Sequence, residues 1–387
     1  MNIRSLLTMV YSVGLSLIGL MFKWVKPRDK AVLLVSFPDN ARALLKEYEN
    51  SKKPFDLEVL YTRHAIPLKE EYPSVKAIVI NEKNPFHLIQ AVYRMFSSKI
   101  VICDNYFLLT STLNNRSQTT CIQVWHANGA LKKFGLEDVT NQQRNPRDIK
   151  RFKQVYRSFD YVVVGSDKMA DIFKQSFGIK DDQRFLRTGV PLTDQYFQAP
   201  QSVSCSNKKM ILYAPTYRDF NIEKFTLPFS KEQLSEDLKG EFLLHVKLHP
   251  AVRRHIRLDG LEGFVKDVSD LPLKELLYKS DILISDYSSV PFEYALFHKP
   301  MLFFTYDIEE YDEKRGLIDH FESVIPGKAC RSREMLLKEL KHLHLIGDKT
   351  KQFAEEWNQY SQGDASRRLL EFVSQQIHAE CKRTDSV

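Results

Sequence analysis

From residue 31 onward, short β-branched runs alternate with helical stretches, and this alternation restricts the possible folds more than any other feature of the chain. Strands are expected at 31–37, 57–62, 76–80, 100–104, 121–125 and 161–165, then at 210–213, 242–248, 263–268, 281–285 and 301–305. Helical stretches such as 85–96 and 168–177 lie between them. Runs such as Tyr161-Val162-Val163-Val164 and Ile282-Leu283-Ile284 are apolar on both faces, as strands buried inside a parallel sheet must be. Repeated strand–helix units of this kind build doubly wound α/β layers. With 387 residues, the chain is long enough for two of them. The polar stretch 198–209 (QAPQSVSCSNKK) reads as an exposed linker. The expected division is therefore a helix at 1–26, α/β domains at 27–197 and 210–348, and a helical segment at 349–387. No internal repeat is evident.

The N-terminus departs from this pattern. No residue between Leu6 and Phe22 is charged, whereas Lys23, Lys26, Arg28 and Lys30 follow closely. Seventeen residues interrupted by Thr8, Ser12, Gly14, Ser16 and Gly19 make a weak membrane span. Ile3, Leu6, Leu7, Val10, Leu17, Leu20, Met21 and Trp24 recur at helical spacing, which predicts an amphipathic helix lying in a membrane interface with cations at headgroup level. A helix packed on its own core and a short span are the alternatives. The segment around Lys23 has no small-residue cleavage site, so a signal peptide is not expected.

In open parallel sheets, ligands bind outside the carboxyl ends of the strands. The distinctive polar residues cluster there: Trp125-His126-Ala127-Asn128-Gly129, Pro215-Thr216-Tyr217-Arg218, Lys247-Leu248-His249-Pro250 and Asp286-Tyr287-Ser288-Ser289, with Glu293 one turn further on. Together they describe an interdomain cleft suited to a diphosphate. Ser288 and Ser289 offer hydroxyl and backbone donors at a helix start. Arg218 and Lys247 offer positive charge. His126 and His249 are the candidates for proton transfer, because imidazole titrates near neutrality. Each also has a plainer reading: structural histidines, a helix-capping Asp286, and a solvent-facing Glu293. Lys247 alternates with His245, so one of that pair faces the core side. There is no GxxxxGK[ST] loop and no GxGxxG turn, which argues against a P-loop nucleotidase or a dinucleotide fold. Five widely spaced cysteines give no metal-ligand spacing and point to a reducing compartment, so neither a metal nor a cofactor is expected.

At these motifs the chain resembles the CDP-glycerol glycerophosphotransferase family of teichoic acid synthesis. The matching elements are Val124-Trp125-His126 with Gly129, Tyr213 to Arg218, Lys247 to Pro250, Ser285 to Ser289 with Glu293, and Lys314-Arg315-Gly316. Its length and the stretch 123–136 (QVWHANGALKKFGL) look most like the family's primases. Leu192 stands where polymerase-like members tend to carry Arg, a departure that touches the donor contact of that loop. The resemblance implies a GT-B architecture, with CDP-glycerol held mainly by the C-terminal domain. It also implies transfer of one glycerol 3-phosphate to the N-acetylmannosamine of an undecaprenyl-diphosphate-linked disaccharide, releasing CMP. His126 would be the base. His249, with Lys247, Thr216, Arg218, Ser288 and Ser289, would neutralise the diphosphate, and Glu293 would hold glycerol or ribose hydroxyls. Trp125, Asn128, Gly129, Pro215, Leu248 and Asp286 would complete the substrate site. A transferase adding later glycerol phosphates and a GT-B enzyme using a nucleotide sugar are the alternative readings.

The net charge of +7 leaves nucleic acid, phosphate and membrane open until the cations are located. Some follow the N-terminal run. Others, Arg144, Arg147, Lys150, Arg151, Lys153 and Arg157, crowd one expected helix, as a solvated face or as a site for lipid diphosphate or anionic headgroups. Arg147, Lys150 and Arg151 are the candidate acceptor contacts. This distribution favours a peripheral enzyme on the cytoplasmic face of the membrane. Contacts with other teichoic acid enzymes fit that location; nucleic acid does not.

Overall fold

The computed structural model describes residues 3–198, 208–218, 220, 225–234, 238, 240–253, 261, 263–343 and 347–379, without the side chains of 3–7, 64 and 251. The chain divides into two compact units. The first holds a seven-stranded sheet of β1 (Arg28–Val35), β2 (Asp56–Tyr61), β3 (Lys76–Val79), β4 (Ser98–Cys103), β5 (Thr120–Gln123), β6 (Tyr161–Val163) and β7 (Phe185–Leu186). The second holds six strands: β8 (Lys209–Tyr213), β9 (Phe242–Val246), β10 (Val265–Asp267), β11 (Ile282–Ser285), β12 (Met301–Phe304) and β13 (Ala329–Cys330). The sheet orders are β3-β2-β1-β4-β5-β6-β7 and β10-β9-β8-β11-β12-β13. All pairings within the two sheets are parallel.

The central strands carry the apolar runs. Residues 31–35 of β1 and 282–285 of β11 are buried throughout, because helices cover both faces of each sheet. Helix Pro85–Phe96 starts at Asn84, whose side chain accepts from the Phe86 N–H. Helix Asp167–Phe177 is capped by Ser166 and ends at Gly178 in the left-handed region, φ 68°.

Each sheet thus has the same switch point, between its first and fourth strands in chain order, with two strands wound to one side and the rest to the other. The division into units differs from the expected one in two places. Residues Ala127–Gln142 belong to the second unit, although they directly follow the β5 end. There the Lys133 N–H donates to the Gly316 carbonyl (3.0 Å), and the Ile318 N–H donates to the Leu131 carbonyl (3.2 Å). The chain from Tyr360 returns to the first unit. Its helix Ala365–His378 buries Leu369, Leu370, Val373 and Ile377 in the first core. The expected linker lies mostly outside the described residues.

Helix Ile3–Met21 turns Tyr11, Leu15 and Ile18 inward; Leu15 is fully buried. Val10, Val13, Leu17, Leu20, Met21 and Trp24 are exposed, Trp24 by 85%. Arg116, itself buried, donates to the carbonyls of Lys23 and Val25 and fastens the end of this segment. Among the described residues no helix is long and apolar enough to cross a membrane.

Candidate functional site

In the second unit Asp286 and Arg218 together tie three strand ends, those of β8, β11 and β12. The Asp286 carboxylate, wholly buried after β11, accepts from the N–H groups of Thr216 (2.8 and 3.0 Å) and Tyr287 (2.6 Å) and from Arg218 Nη1 (2.8 Å). Arg218 is itself buried, and its Nε and Nη2 grip Asp307 at 2.5 and 3.0 Å. The rings of Tyr287, Tyr306 and Tyr311 surround the guanidinium at 5.1–5.7 Å. Burial works against the Arg218 charge, but the Asp286 and Asp307 carboxylates outweigh it and raise its pKa. Sequence reasoning placed Arg218 on the diphosphate. The structure commits its charge inward, where it orders the loop after β8.

Other expected residues divide in the same way. Lys247 donates to the carbonyls of Ser269 (3.0 Å) and Leu271 (2.7 Å), and burial holds its ammonium below the usual lysine range. Leu248 is buried, with its N–H on Ser269 Oγ (2.9 Å). His245, the alternate residue on β9, has both ring nitrogens buried without a hydrogen-bond partner. Asn128 is a buried strut: its Nδ2 donates to Asn358 Oδ1 (2.5 Å), and Asn358 Nδ2 donates to the Phe292 carbonyl (3.0 Å). A Cβ on Gly129 would lie 2.5 Å from the Phe292 ring, so only glycine fits there. Glu293 is buried and accepts from the Tyr196 hydroxyl.

A smaller set faces outward. His249 is exposed and stacks on Tyr217, with ring centroids 4.6 Å apart. Pro215 and Thr216 are half-buried, and Thr216 Oγ1 is enclosed without a hydrogen-bond partner. Ser288 accepts from the Val290 N–H (3.2 Å), and Ser289 precedes helix Val290–Tyr294, which has only five residues. So short a helix contributes little dipole, and the hydroxyls and first-turn N–H groups are what this end offers an anion. Lys132, which sequence reasoning passed over, is half-buried near Asp286, Arg218 and Arg315, and burial lowers its pKa.

In the first unit His126 follows β5. Its imidazole lies between the rings of Phe37 (4.4 Å) and Trp125 (4.2 Å), with both faces covered. At the end of the neighbouring β4, Asp104 accepts from Ser36 N (2.9 and 3.0 Å) and Phe37 N (2.8 Å). Among the described residues no cation pairs with this carboxylate, and burial pushes its pKa up to about 7. Asp104 and Asp307 were both missed, although the strand-end rule that selected Asp286 would have found them.

On helix Pro146–Arg157, Arg147 and Lys150 are exposed, but Arg151 is half-buried and ion-paired with Asp148. Lys150, Lys153 and Arg157 have no carboxylate partner among the described residues. No group of His, Cys, Asp and Glu side chains among the described residues could hold a metal ion.

Two parallel, doubly wound α/β units with polar residues gathered at their strand ends define a scaffold that binds ligands at those ends. The solved wall teichoic acid polymerase TagF shares this fold, with a TM-score of 0.73 and 23% identity over 97% of this chain and 96% of that one. Residues 18–375 match the model of the CDP-glycerol:poly(glycerophosphate) glycerophosphotransferase family, and the chain belongs to that family. It is 52% identical over 382 residues to a teichoic acid glycerol-phosphate primase of Bacillus subtilis, covering 97% of this chain and all of that one. A Staphylococcus aureus protein of the same description is 29% identical over 357 residues, covering 89% of this chain and 91% of its own. The chain is a glycerophosphotransferase of wall teichoic acid synthesis.

Proposed function

We propose that the enzyme primes the polymer: it transfers a single glycerol 3-phosphate from CDP-glycerol to the N-acetylmannosamine of an undecaprenyl-diphosphate-linked disaccharide. The near end-to-end 52% identity to a glycerol-phosphate primase carries this reading. The sugar hydroxyl oxygen attacks the glycerol-bearing phosphorus, a new P–O bond forms, and the bond to CMP breaks. His126, half-buried against the Phe37 and Trp125 rings, accepts the hydroxyl proton. His249, Thr216, Ser288 and Ser289 hold the diphosphate and the departing CMP. Arg218 and Asp286 act behind them by shaping the loops.

The acceptor reaches the first unit from the membrane. The exposed Val10–Trp24 stripe inserts at the interface, and Arg147, Lys150, Lys153 and Arg157 meet anionic headgroups or the lipid diphosphate. Residues 1–26 thus anchor the enzyme peripherally on the cytoplasmic face.

The test is turnover with CDP-glycerol and a short-chain analogue of the lipid disaccharide, with product length read by mass spectrometry. One added glycerol phosphate and stoichiometric CMP are expected; products carrying several would refute priming. His126→Ala should abolish turnover while CDP-glycerol still binds by calorimetry, and His249→Ala should weaken both. Normal turnover in His126→Ala would remove it from the mechanism.

A further inference from the structure

Trp125 has a backbone φ of +58°, in the left-handed region that a bulky side chain rarely enters. Strand β5 ends two residues earlier, and the last inter-strand bond on this side is from the Val124 N–H to the Cys103 carbonyl (2.8 Å). Strain of this kind persists only where the surroundings over-determine it.

Here two side-chain amides do so. The Trp125 N–H donates to Gln123 Oε1 at 2.7 Å, and the Trp125 carbonyl accepts from Asn40 Nδ2 at 2.9 Å. Both amides are buried, Gln123 fully and Asn40 to 2% exposure. Their other ends are occupied too. Gln123 Nε2 donates to the Asn105 carbonyl (3.1 Å), and Asn40 Oδ1 accepts from the Leu192 N–H (2.8 Å). These partners fix which way each amide faces, since a flip would set donor against donor and acceptor against acceptor. A residue held at both its N–H and its C=O cannot relax toward the extended region without leaving buried polar atoms unmatched.

The residue after this turn is His126. Its direction depends on the left-handed step, because an extended Trp125 would redirect the chain and draw the imidazole from between Phe37 and Trp125. We propose that Asn40 and Gln123 are positioning residues that hold Trp125 left-handed and so aim His126 at the acceptor hydroxyl. This rests on the reading of His126 as the base.

A double-mutant cycle in the full-length enzyme tests it. Asn40→Leu should lower kcat about 10- to 100-fold, the scale of a misplaced catalytic group, with the CDP-glycerol dissociation constant changed by less than about 2-fold. Glycine adopts positive φ without strain, so Trp125→Gly needs no holding. Adding Asn40→Leu to Trp125→Gly should therefore cost less than about 3-fold in kcat relative to Trp125→Gly alone. Asn40→Asp, which keeps the acceptor for Leu192 and loses the donor, serves in the same cycle should Asn40→Leu not melt cooperatively. An equal loss in both backgrounds would mean that Asn40 merely fastens the Leu192 loop, and would overturn the proposal. So would an unchanged kcat in Asn40→Leu while His126→Ala is inactive. Normal turnover in His126→Ala would instead overturn the underlying reading, and the proposal with it.

Discussion

Replacing Arg218 by leucine separates an internal counter-ion from a ligand-binding cation. In the folded chain Arg218 is 5% exposed and lies between Asp286, 0% exposed, and Asp307. Leucine fills part of the volume but leaves one buried and one half-buried carboxylate, Asp286 and Asp307, without their shared cation. Removing one partner of a buried ion pair costs about 3–5 kcal/mol, chiefly because the remaining charge is stranded. For a unit of this size each kcal/mol lowers Tm by roughly 2–4 °C, so a fall of about 10 °C is expected. Arg218→Lys keeps the charge but not the planar fork that spans both acids, and should fall between leucine and the wild type. The assay is calorimetric or circular-dichroism melting of the ligand-free protein at neutral pH. If Arg218 faced the diphosphate instead, the ligand-free Tm would stay within about 1 °C of wild type and only CDP-glycerol affinity would drop. That result would refute the assignment of Arg218 to the scaffold.

Three further outcomes follow from the same geometry. Asp104 titrates near pH 7 when folded and near 4 when unfolded, so its contribution to stability is fully present below pH 4 and is lost as pH rises through 7. The loss amounts to about 4 kcal/mol. Asp104→Asn, which keeps an oxygen for the Ser36 and Phe37 N–H groups, should flatten that part of the pH–stability curve, and an unchanged slope would exclude Asp104 as its source. Gly129→Ala would set a Cβ 2.5 Å from the Phe292 ring, which packs against Phe353 and Trp357, so a loss of about 1–3 kcal/mol is expected in denaturant titration. The paired change Leu17→Glu and Leu20→Glu should release the enzyme from anionic vesicles in sedimentation while leaving its melting temperature within about 2 °C, since both side chains face outward.

Much of the fold was legible in the sequence because buried parallel strands announce themselves as unbroken apolar runs. Eleven strands were expected, and each has a counterpart among the thirteen observed. The two that escaped, Phe185–Leu186 and Ala329–Cys330, are edge strands of two residues, too short for any periodicity. The strand-end rule located the polar loops but could not say which way each side chain points. Arg218, Lys247 and Asn128 look like ligand contacts as letters, and each is bonded inward. The deciding partner of Arg218 is Asp307, 89 positions away, and that of Asn128 is Asn358, 230 positions away. No local pattern carries such pairings. The passage of residues 127–142 into the second unit was hidden for the same reason, being set by contacts with the distant residues Phe292 and Gly316.

The two sheets resolve one problem in the same way, and this narrows the choice of base. After the first strand of each sheet the chain exposes N–H groups at the switch point, where ligands bind in folds of this kind. A carboxylate from the end of the neighbouring fourth strand takes them up: Asp104 for Ser36 and Phe37, Asp286 for Thr216. In the second unit Arg218 adds the compensating charge; among the described residues Asp104 has no such partner, and burial pushes it toward neutrality. Either acid would be well placed to act as a general base if its position along the chain were all that mattered. Each instead has its oxygens turned to backbone donors and is 1% exposed or less, so neither presents a lone pair to a substrate hydroxyl. That leaves the imidazoles as the proposed groups for proton transfer at the strand ends. Of the two, His249 stands exposed on Tyr217 in the unit assigned to the donor, and His126 is fixed between two rings in the unit assigned to the acceptor. A base must meet the hydroxyl of the attacking sugar, not the departing nucleotide, and under the proposed division of donor and acceptor between the units that requirement favours His126.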